Sequence, residues 1–264
     1  MKLPKLSIIT VNLNNKAGLQ KTMESVFEQT FKDYEYIIID GGSEDGSKEL
    51  IETHSDKLSY WISENDNGIY NAMNKGIVRA QGDLIIFLNS GDYYVSNNLL
   101  LYASKRIDPG KADVFFCRFI FDNPVSNIIV VSDDSGNTYD WDLQNSNFPH
   151  PGTFYKRSVF LTIGVFDENY KILGDFDWNA KALINHRVAF QYVNLITAFF
   201  RADGVSNAAH HMNTFEHEKN KILSTYFRPA WLFKYINNHK DKIYGALLEK
   251  ALGKMYKKKL NRVY

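Results

Sequence analysis

Short apolar segments alternate with helical patterns along the first third of the chain. Four segments rich in β-branched and aromatic residues predict strands, at 6–12, 36–40, 60–63 and 83–88. Apolar residues at helical spacing lie between them, as in 68–79, and Asn14 or Asn15 can cap the first of these helices. Strands and helices that alternate in this way are typical of a parallel, doubly wound α/β sheet.

The pattern changes near residue 213, where helical spacing takes over and basic residues accumulate toward the end. We therefore expect a first domain over 1–212 and a helical extension over 213–264. Within 243–255 an apolar stripe is flanked by lysines. A basic amphipathic helix of this kind can lie on an anionic membrane surface. The alternative is that the stripe packs on the main domain or on another subunit.

Composition narrows the class of protein. The chain has 264 residues, 44% of them hydrophobic, which is enough for a sizeable core. Its formal net charge of +1 gives no electrostatic argument for binding nucleic acid. The single Cys117 lies in an apolar run and is expected to be a buried thiol. With no signal-peptide pattern and no apolar run long enough to span a bilayer, the expected location is cytoplasmic, with peripheral membrane attachment as an option.

The segment 83–92 is the first candidate for chemistry. Its unbroken apolar run, Leu84 to Leu88, suits a strand buried on both faces, and it ends in the polar corner Asn89-Ser90-Gly91-Asp92. Ligands of open α/β sheets bind at the carboxyl ends of the strands. A carboxylate at Asp92 is therefore well placed to hold a divalent cation, which in turn can bind a diphosphate.

The polar loop after the second strand does not fit a phosphate-binding loop. Its sequence, Gly42-Ser-Glu-Asp-Gly-Ser-Lys48, has the wrong spacing, and two acidic residues occupy the positions that phosphates would approach. Asp40 precedes this loop. Its carboxylate can accept a hydrogen bond from a nucleobase N–H, or it can simply close an Asx-turn that shapes the loop.

A second polar group surrounds the start of the helix predicted at 68–79. Glu64, Asp66, Asn71 and Lys75 are not explained by the apolar stripe of that helix. A helix N-terminus offers unpaired N–H groups to anions, and Lys75 adds a positive charge about two turns in. The alternative for Lys75 is a solvated charge on the helix surface.

Several blocks together resemble the inverting glycosyltransferases of family two, which have the GT-A fold. The segment 63–77 is similar to a Glu-x-Asp-x-Gly-Ile-Tyr-Asp-Ala-Met-Asn-Lys-Gly block of that family, and the corner at 89–92 is similar to its metal-binding Asp-x-Asp corner. Blocks beginning at His150, Gly164 and Gly174 resemble the acceptor half. The resemblance covers about residues 6–206, with the blocks in the family's order.

The resemblance implies a mixed, mostly parallel GT-A sheet flanked by helices and a metal-dependent, inverting sugar transfer. The donor would be a nucleoside-diphosphate sugar, with UDP expected, and the cofactor Mn²⁺ or Mg²⁺. The acceptor would be a saccharide or a lipid-linked glycan of bacterial polysaccharide biosynthesis. The implied roles are Asp175 as general base, Asp92 as metal ligand, His150 and Asp177 on the acceptor side, and a nucleotide site formed by Thr10, Asn12, Asp40, Asp66, Lys75, Asn89 and Ser90.

The chain departs from the family at two of these blocks. Only the last acidic residue of the metal corner is present, as Asp92, and Gly174 stands where the family has the first residue of a Glu-Asp pair. His210 or His211 offers a further metal ligand. Two other functions stay open at this point: a nucleotidyltransferase, and a non-catalytic protein that binds nucleotide sugars.

Overall fold

A computed structural model describes residues 5–123, 128–131, 150–201 and 212–226 of the chain. The strands are β1 (Leu6–Asn12), β2 (Tyr34–Asp40), β3 (Tyr60–Ser63), β4 (Leu84–Phe87), β5 (Tyr93–Tyr94), β6 (Val114–Asn123), β7 (Ile128–Val131), β8 (Thr153–Lys156) and β9 (Phe190–Arg201). The helices are α1 (Lys16–Phe27), α2 (Ser47–Thr53), α3 (Ile69–Arg79), α4 (Leu99–Arg106), α5 (Arg157–Ile163), α6 (Gly174–Ile184) and α7 (Met212–Tyr226).

The strands form one mixed, nine-stranded sheet in the order β3-β2-β1-β4-β8-β6-β9-β5, with β7 paired to β6. The half from β3 to β4 is parallel, as the alternation of strands and helices predicts. Beyond β4 the sheet is mixed: β8 runs antiparallel to both β4 and β6, whereas β9 is parallel to β6. Because β8 runs antiparallel to β4, its first residues lie at the carboxyl end of β4.

Alternate side chains of the central strands build two separate cores. Ile9 and Val11 of β1 face α3, α5, α6 and α7, whereas Leu6 and Ile8 of the same strand face α1, α2 and α4. A strand buried on both faces carries apolar residues at every position, which explains the unbroken apolar run in β4. Cys117 is buried in the second core, as expected, and burial raises the pKa of its thiol.

Helix α7 lies within the predicted extension but packs against the first domain. Its Ile222 is fully buried in the core that contains α6, and Phe215 and Leu223 pack around that core. The described part of 213–226 therefore shares its packing with residues 1–212. The predicted basic tail, the long loop expected at 138–148 and the pair His210 and His211 lie outside the described residues. Within the described ranges no helix is long and apolar enough to span a bilayer.

Candidate active site

Three polar side chains stand side by side at the carboxyl edge of the parallel strands. In the strand register Asn12 is paired with Asp40, and Asp40 with Ser63. The Asp40 carboxylate accepts hydrogen bonds from Asn12 Nδ2 at 2.7 Å, Ser63 Oγ at 2.7 Å, Ser43 Oγ at 2.6 Å and the Ser43 N–H at 2.9 Å. An ionised carboxylate has about four acceptor positions. Protein donors therefore occupy the acceptor capacity of Asp40.

This environment favours the loop-shaping alternative for Asp40. The residue is fully buried, and burial raises the pKa of its carboxyl. The hydrogen bonds from Ser43, Ser63 and Asn12 outweigh burial, so the pKa lies below its usual value. Asp40 is thus an ionised carboxylate that holds the β2–α2 loop, and a direct contact with a base N–H would have to displace one of these donors.

Unlike Asp40, Asn12 has an acceptor atom without a hydrogen-bond partner. Its Nδ2 donates to Asp40, but its Oδ1 is buried and no hydrogen-bond partner is present for it. A buried carbonyl oxygen without a partner is costly, so a ligand donor at this position would be favourable. Asn12 is therefore the better candidate for accepting a hydrogen bond from the nucleoside.

Thr10 lies outside the site. It is fully buried, and its hydroxyl is 2.9 Å from Tyr36 Oη and donates to the Leu88 carbonyl at 2.7 Å. These bonds tie neighbouring strands together in the core. The expected nucleotide contact by the Thr10 side chain has no geometric support, because its hydroxyl is already bonded to Tyr36 and Leu88.

The loop before α3 lies against the loop after β2. The Asp66 carboxylate fills the space that a side chain at Gly41 would need, and it accepts the Gly68 N–H at 2.9 Å. Lys75 is held in the same region, with its Nζ 2.8 Å from Glu64 Oε1. Asp66 is partly exposed, so its carboxylate is accessible to a nucleoside. Lys75 already forms an ion pair with Glu64.

The polar corner after β4 is fixed by Thr22 of α1. Gly91 adopts the left-handed conformation, with φ of 104°, that closes the corner. Thr22 Oγ1 accepts the Gly91 N–H at 3.0 Å and lies 2.7 Å from the Asp92 carbonyl. Ser90 is held through its carbonyl, which accepts from Asn15 Nδ2 at 3.0 Å. Thr22 was not singled out from the sequence, because at that level it only interrupts the apolar stripe of α1.

His150 lies between the candidate metal ligand and the candidate base. Its Nε2 is 3.7 Å from Asp92 Oδ2, and its Nδ1 is 3.8 Å from Asp175 Oδ2. Burial alone would lower the pKa of His150, but the two carboxylates outweigh it and raise that pKa to about 9. The imidazole thus lies between side chains from two distant parts of the sequence, because β8 begins beside the end of β4.

Asp175 sits in the first turn of α6 and is buried. Its Oδ1 accepts the Phe176 N–H at 2.9 Å and lies 3.2 Å from the hydroxyl of Tyr70. The same hydroxyl donates to the Ile172 carbonyl at 2.6 Å. Tyr70 was missed in the sequence, although it lies within the block 63–77. Its signal there was an aromatic residue in the first turn of a helix, which packing alone explains.

The contact with Tyr70 also explains why residue 174 is a glycine. A Cβ at Gly174 would lie 2.8 Å from Cδ2 and Cε2 of the Tyr70 ring. In this structure the buried ring of Tyr70 leaves no room for a side chain at residue 174.

Asp177 is directed away from this cluster. It accepts a hydrogen bond from Tyr170 Oη at 2.9 Å, and Tyr226 of α7 lies close by. Burial raises the pKa of Asp177, and these hydroxyls only partly offset it. The expected acceptor-side role of Asp177 has no geometric support, because residues two apart on a helix do not share a face.

The corner provides oxygen ligands of the kind that Mg²⁺ and Mn²⁺ take. Asp92 supplies a carboxylate, and Asn89 Oδ1 is buried with no hydrogen-bond partner, while its Nδ2 is 2.8 Å from His150 Nε2. No group of three or more His, Cys, Asp or Glu side chains that could hold a metal is present in the described ranges. Magnesium commonly binds one or two carboxylates and takes its other ligands from phosphates and water, so this donor set fits.

Sequence comparison identifies the family. The pattern of Glycosyl transferase family 2 matches residues 7–167. The chain belongs to Glycosyl transferase family 2. It is 29% identical over 216 residues to the PGL/p-HBAD biosynthesis glycosyltransferase of Mycobacterium bovis (strain BCG / Pasteur 1173P2), which is 78% of this chain and 81% of that relative. A glycosyltransferase was the class expected from the resemblance, and that expectation is confirmed.

Solved structures confirm the GT-A fold. Staphylococcus aureus TarS 1–349 in complex with UDP superposes with a TM-score of 0.61 at 19% identity, covering 93% of this chain and 77% of that one. A Pyrobaculum calidifontis mannosyltransferase in complex with GDP-Man and Mn²⁺ gives 0.58 at 17% identity, covering 74% and 56%. This chain spans 43% of a longer TarS structure, with a TM-score of 0.62 and 20% identity.

Proposed function

We propose that the protein transfers a sugar from a nucleoside-diphosphate donor, with UDP as the nucleotide, to a saccharide or lipid-linked acceptor, with inversion at the anomeric carbon. The observation that carries this proposal is the line of Asp92, His150 and Asp175 across the carboxyl edge of the sheet, with contacts of 3.7 Å and 3.8 Å. Asp92, at one end of this line, would hold the cation that binds the diphosphate. Asp175, at the other end, would take the proton of the acceptor hydroxyl.

The donor half is formed by the parallel strands. Asn12 Oδ1 would accept from the nucleoside, and Asp66 would contact the sugar of that nucleoside across the Gly41 backbone. Asp92 and Asn89 would hold Mn²⁺ or Mg²⁺ against the diphosphate. When bound, the cation supplies Lewis-acid stabilisation of the leaving diphosphate as its charge develops. The UDP complex of TarS and the Mn²⁺ complex of the mannosyltransferase support these ligand classes.

Asp175 is assigned as the general base. An inverting transfer needs one carboxylate to take the proton from the acceptor oxygen as that oxygen attacks opposite the leaving group. The first turn of α6 holds Asp175 beside one ring nitrogen of His150, and the other ring nitrogen lies near Asp92. His150 lies between the two carboxylates, which raise its pKa, so protonation of the imidazole would offset their charge.

The acceptor class is inferred from the relatives. The mycobacterial relative is named a PGL/p-HBAD biosynthesis glycosyltransferase, which supports a biosynthetic sugar transfer, and we propose a saccharide or lipid-linked acceptor of bacterial polysaccharide biosynthesis. Such acceptors are presented at a membrane surface, where a peripheral cytoplasmic enzyme meets soluble nucleotide sugars. The basic helix predicted at the end of the chain would suit this location.

The test compares Asp175→Asn with Asp177→Asn. Asn has nearly the shape of Asp and keeps the Oδ1 acceptor, but it cannot take the proton. Asp175→Asn should therefore keep its fold and its UDP affinity while the transfer rate falls by about 10²–10⁴-fold. Asp177→Asn, buried on the other side of α6, should transfer sugar at a nearly normal rate. Rates are measured by UDP release with a saccharide acceptor, and UDP affinity by calorimetry with and without Mn²⁺.

The same assay separates the two alternative functions. Normal transfer by Asp175→Asn would remove Asp175 from the role of base. A wild-type protein that binds UDP but neither hydrolyses nor transfers the sugar would be a non-catalytic binder. Release of pyrophosphate from a nucleoside triphosphate would point to a nucleotidyltransferase, which the family assignment argues against.

A further inference from the structure

We infer that Glu218 of α7 is a positioning residue for Asp175, and that the helix after the family region thereby contributes to turnover. The inference rests on the proposed role of Asp175 as the base. Glu218 lies beyond residues 7–167, the part that matches the family, and within the segment predicted as a helical extension.

The Glu218 carboxylate binds the backbone that leads into α6. Its Oε1 accepts the Lys171 N–H at 2.7 Å, and its Oε2 accepts the N–H groups of Ile172 at 3.1 Å and Leu173 at 2.9 Å. The side chain is buried, with the residue 6% exposed. A buried carboxylate is tolerated only when donors compensate its charge, and here successive backbone N–H groups do so.

Helix α6 depends on this contact at its start. Leu173 occupies the N-cap position, and its apolar side chain cannot accept a hydrogen bond from the first turn. Glu218 supplies an acceptor from another helix and places negative charge at the positive end of the α6 dipole. The position of the first turn, which carries Asp175, is therefore set in part by α7.

Tyr70 provides the second link between this segment and Asp175. Glu218 binds the N–H of Ile172, and the carbonyl of Ile172 accepts the Tyr70 hydroxyl at 2.6 Å. That hydroxyl is also 3.2 Å from Asp175 Oδ1. A shift of the backbone at 171–173 would thus move both Asp175 and the hydroxyl beside it. Misplacement of a catalytic group by about 1 Å can cost on the order of 10²-fold in rate.

The experiment compares Glu218→Gln with Glu216→Gln, an exposed position on the same helix. The amide introduced by Glu218→Gln keeps the shape of the side chain but turns an NH₂ group toward backbone donors. We expect the kcat of Glu218→Gln to fall by about 10–100-fold. Its UDP affinity and its KM for the donor should stay within about twofold, because the donor half is untouched. Glu216→Gln should match the wild type, and Glu218→Asp should recover part of the lost kcat.

A purely structural role for Glu218 would give a different result. Glu218→Gln would then melt at a lower temperature but, assayed well below that temperature, turn over at the wild-type rate, and the inference would be overturned. If Glu218→Gln does not fold, Tyr70→Phe decides: the ring still packs on Gly174 while the hydroxyl is lost. A selective fall in kcat for Tyr70→Phe supports the linkage, and a wild-type kcat overturns it.

Failure of this inference can be told apart from failure of the proposed function. If Asp175→Asn is fully active, the proposed base is wrong and Glu218 has nothing to position. If Asp175→Asn is inactive while Glu218→Gln and Tyr70→Phe both behave like the wild type, only the positioning role of Glu218 is lost.

Discussion

Asp40 has two alternative roles, shaping the loop and binding the nucleoside, and the two predict different results for one substitution. Its carboxylate accepts from Asn12, Ser43 and Ser63, and the resulting pKa lies below the usual value. Asp40→Asn would turn an NH₂ group toward these donors. We expect its free energy of unfolding to be lower by about 1–3 kcal/mol, the scale of lost charged hydrogen bonds. Urea unfolding followed by circular dichroism measures this, with exposed Asp56→Asn as the matched control.

The pH dependence gives this prediction a second measurement. A carboxyl whose pKa is lower in the folded state stabilises the fold above its unfolded-state pKa, about 3.9 for Asp. That stability is lost as the pH falls through the folded-state pKa. The wild type should therefore lose stability in acid more steeply than Asp40→Asn. If instead Asp40→Asn is as stable as the wild type but binds UDP more weakly, Asp40 reads the base directly.

At this scale the sequence supplied residue types and positions but not partners. Asp92, His150 and Asp175 were each proposed for the site, and the structure brings them together. Thr10 and Asp40 were placed at the nucleotide by the same resemblance, yet their polar atoms are used by neighbouring protein groups. Whether a polar atom is free for a ligand depends on contacts between strands, which no local pattern encodes.

At the scale of elements, α3 and α6 pack closely where the ring of Tyr70 lies against Gly174. We expect Gly174→Ala to lower the free energy of unfolding by about 1–3 kcal/mol, the usual cost of overpacking. The better helix propensity of Ala, about 1 kcal/mol, opposes this loss, but the Cβ would lie only 2.8 Å from a buried ring. Differential scanning calorimetry measures the change.

A double mutant provides the control for this contact. In a Tyr70→Ala background the ring is gone, so Gly174→Ala should become neutral or stabilising there. Equal destabilisation in both backgrounds would show that the ring is not the obstacle.

Most elements were predictable because each has a local cause. β1 and β3 have their predicted bounds, and Asn15 caps α1 by accepting the Gly18 N–H. Helix α7 falls at the start of the predicted helical extension, and its packing on the main domain has no local signal. Periodicity shows that Ile222 has a buried face, but not which surface covers it. That information lies in the long-range packing of α7 on α6.

At the scale of the whole molecule, the two halves of the sheet supply different parts of the site. The parallel half, β3 to β4, presents Asn12 and Asp92 at its carboxyl edge. The second half brings His150 to that edge, because β8 runs antiparallel to β4. Helix α6 places Asp175 beside His150, and Glu218 of α7 binds the backbone at the start of α6. With the proposed roles of Asp175 and Glu218, the site includes segments up to residue 218, and we expect it to require α7.

Two truncations test this view together with the predicted membrane attachment. A chain ending at residue 211 loses α7, and with it the buried Ile222 and the bonds from Glu218 to the start of α6. A chain ending at residue 239 keeps α7 and lacks only the basic amphipathic stretch. We expect the shorter chain to be insoluble or to melt at a much lower temperature, and the longer one to match the full chain in melting temperature and UDP affinity.

Sedimentation with anionic phosphatidylglycerol vesicles then separates the two interpretations of the basic stretch. The full chain should bind these vesicles at low salt and be released at high salt, because screening weakens surface electrostatics. The chain ending at 239 should not bind at either salt concentration, while its transfer to a soluble acceptor stays normal. If that chain precipitates or loses its UDP affinity, the stripe packs on protein instead, and membrane attachment is no longer needed to explain it.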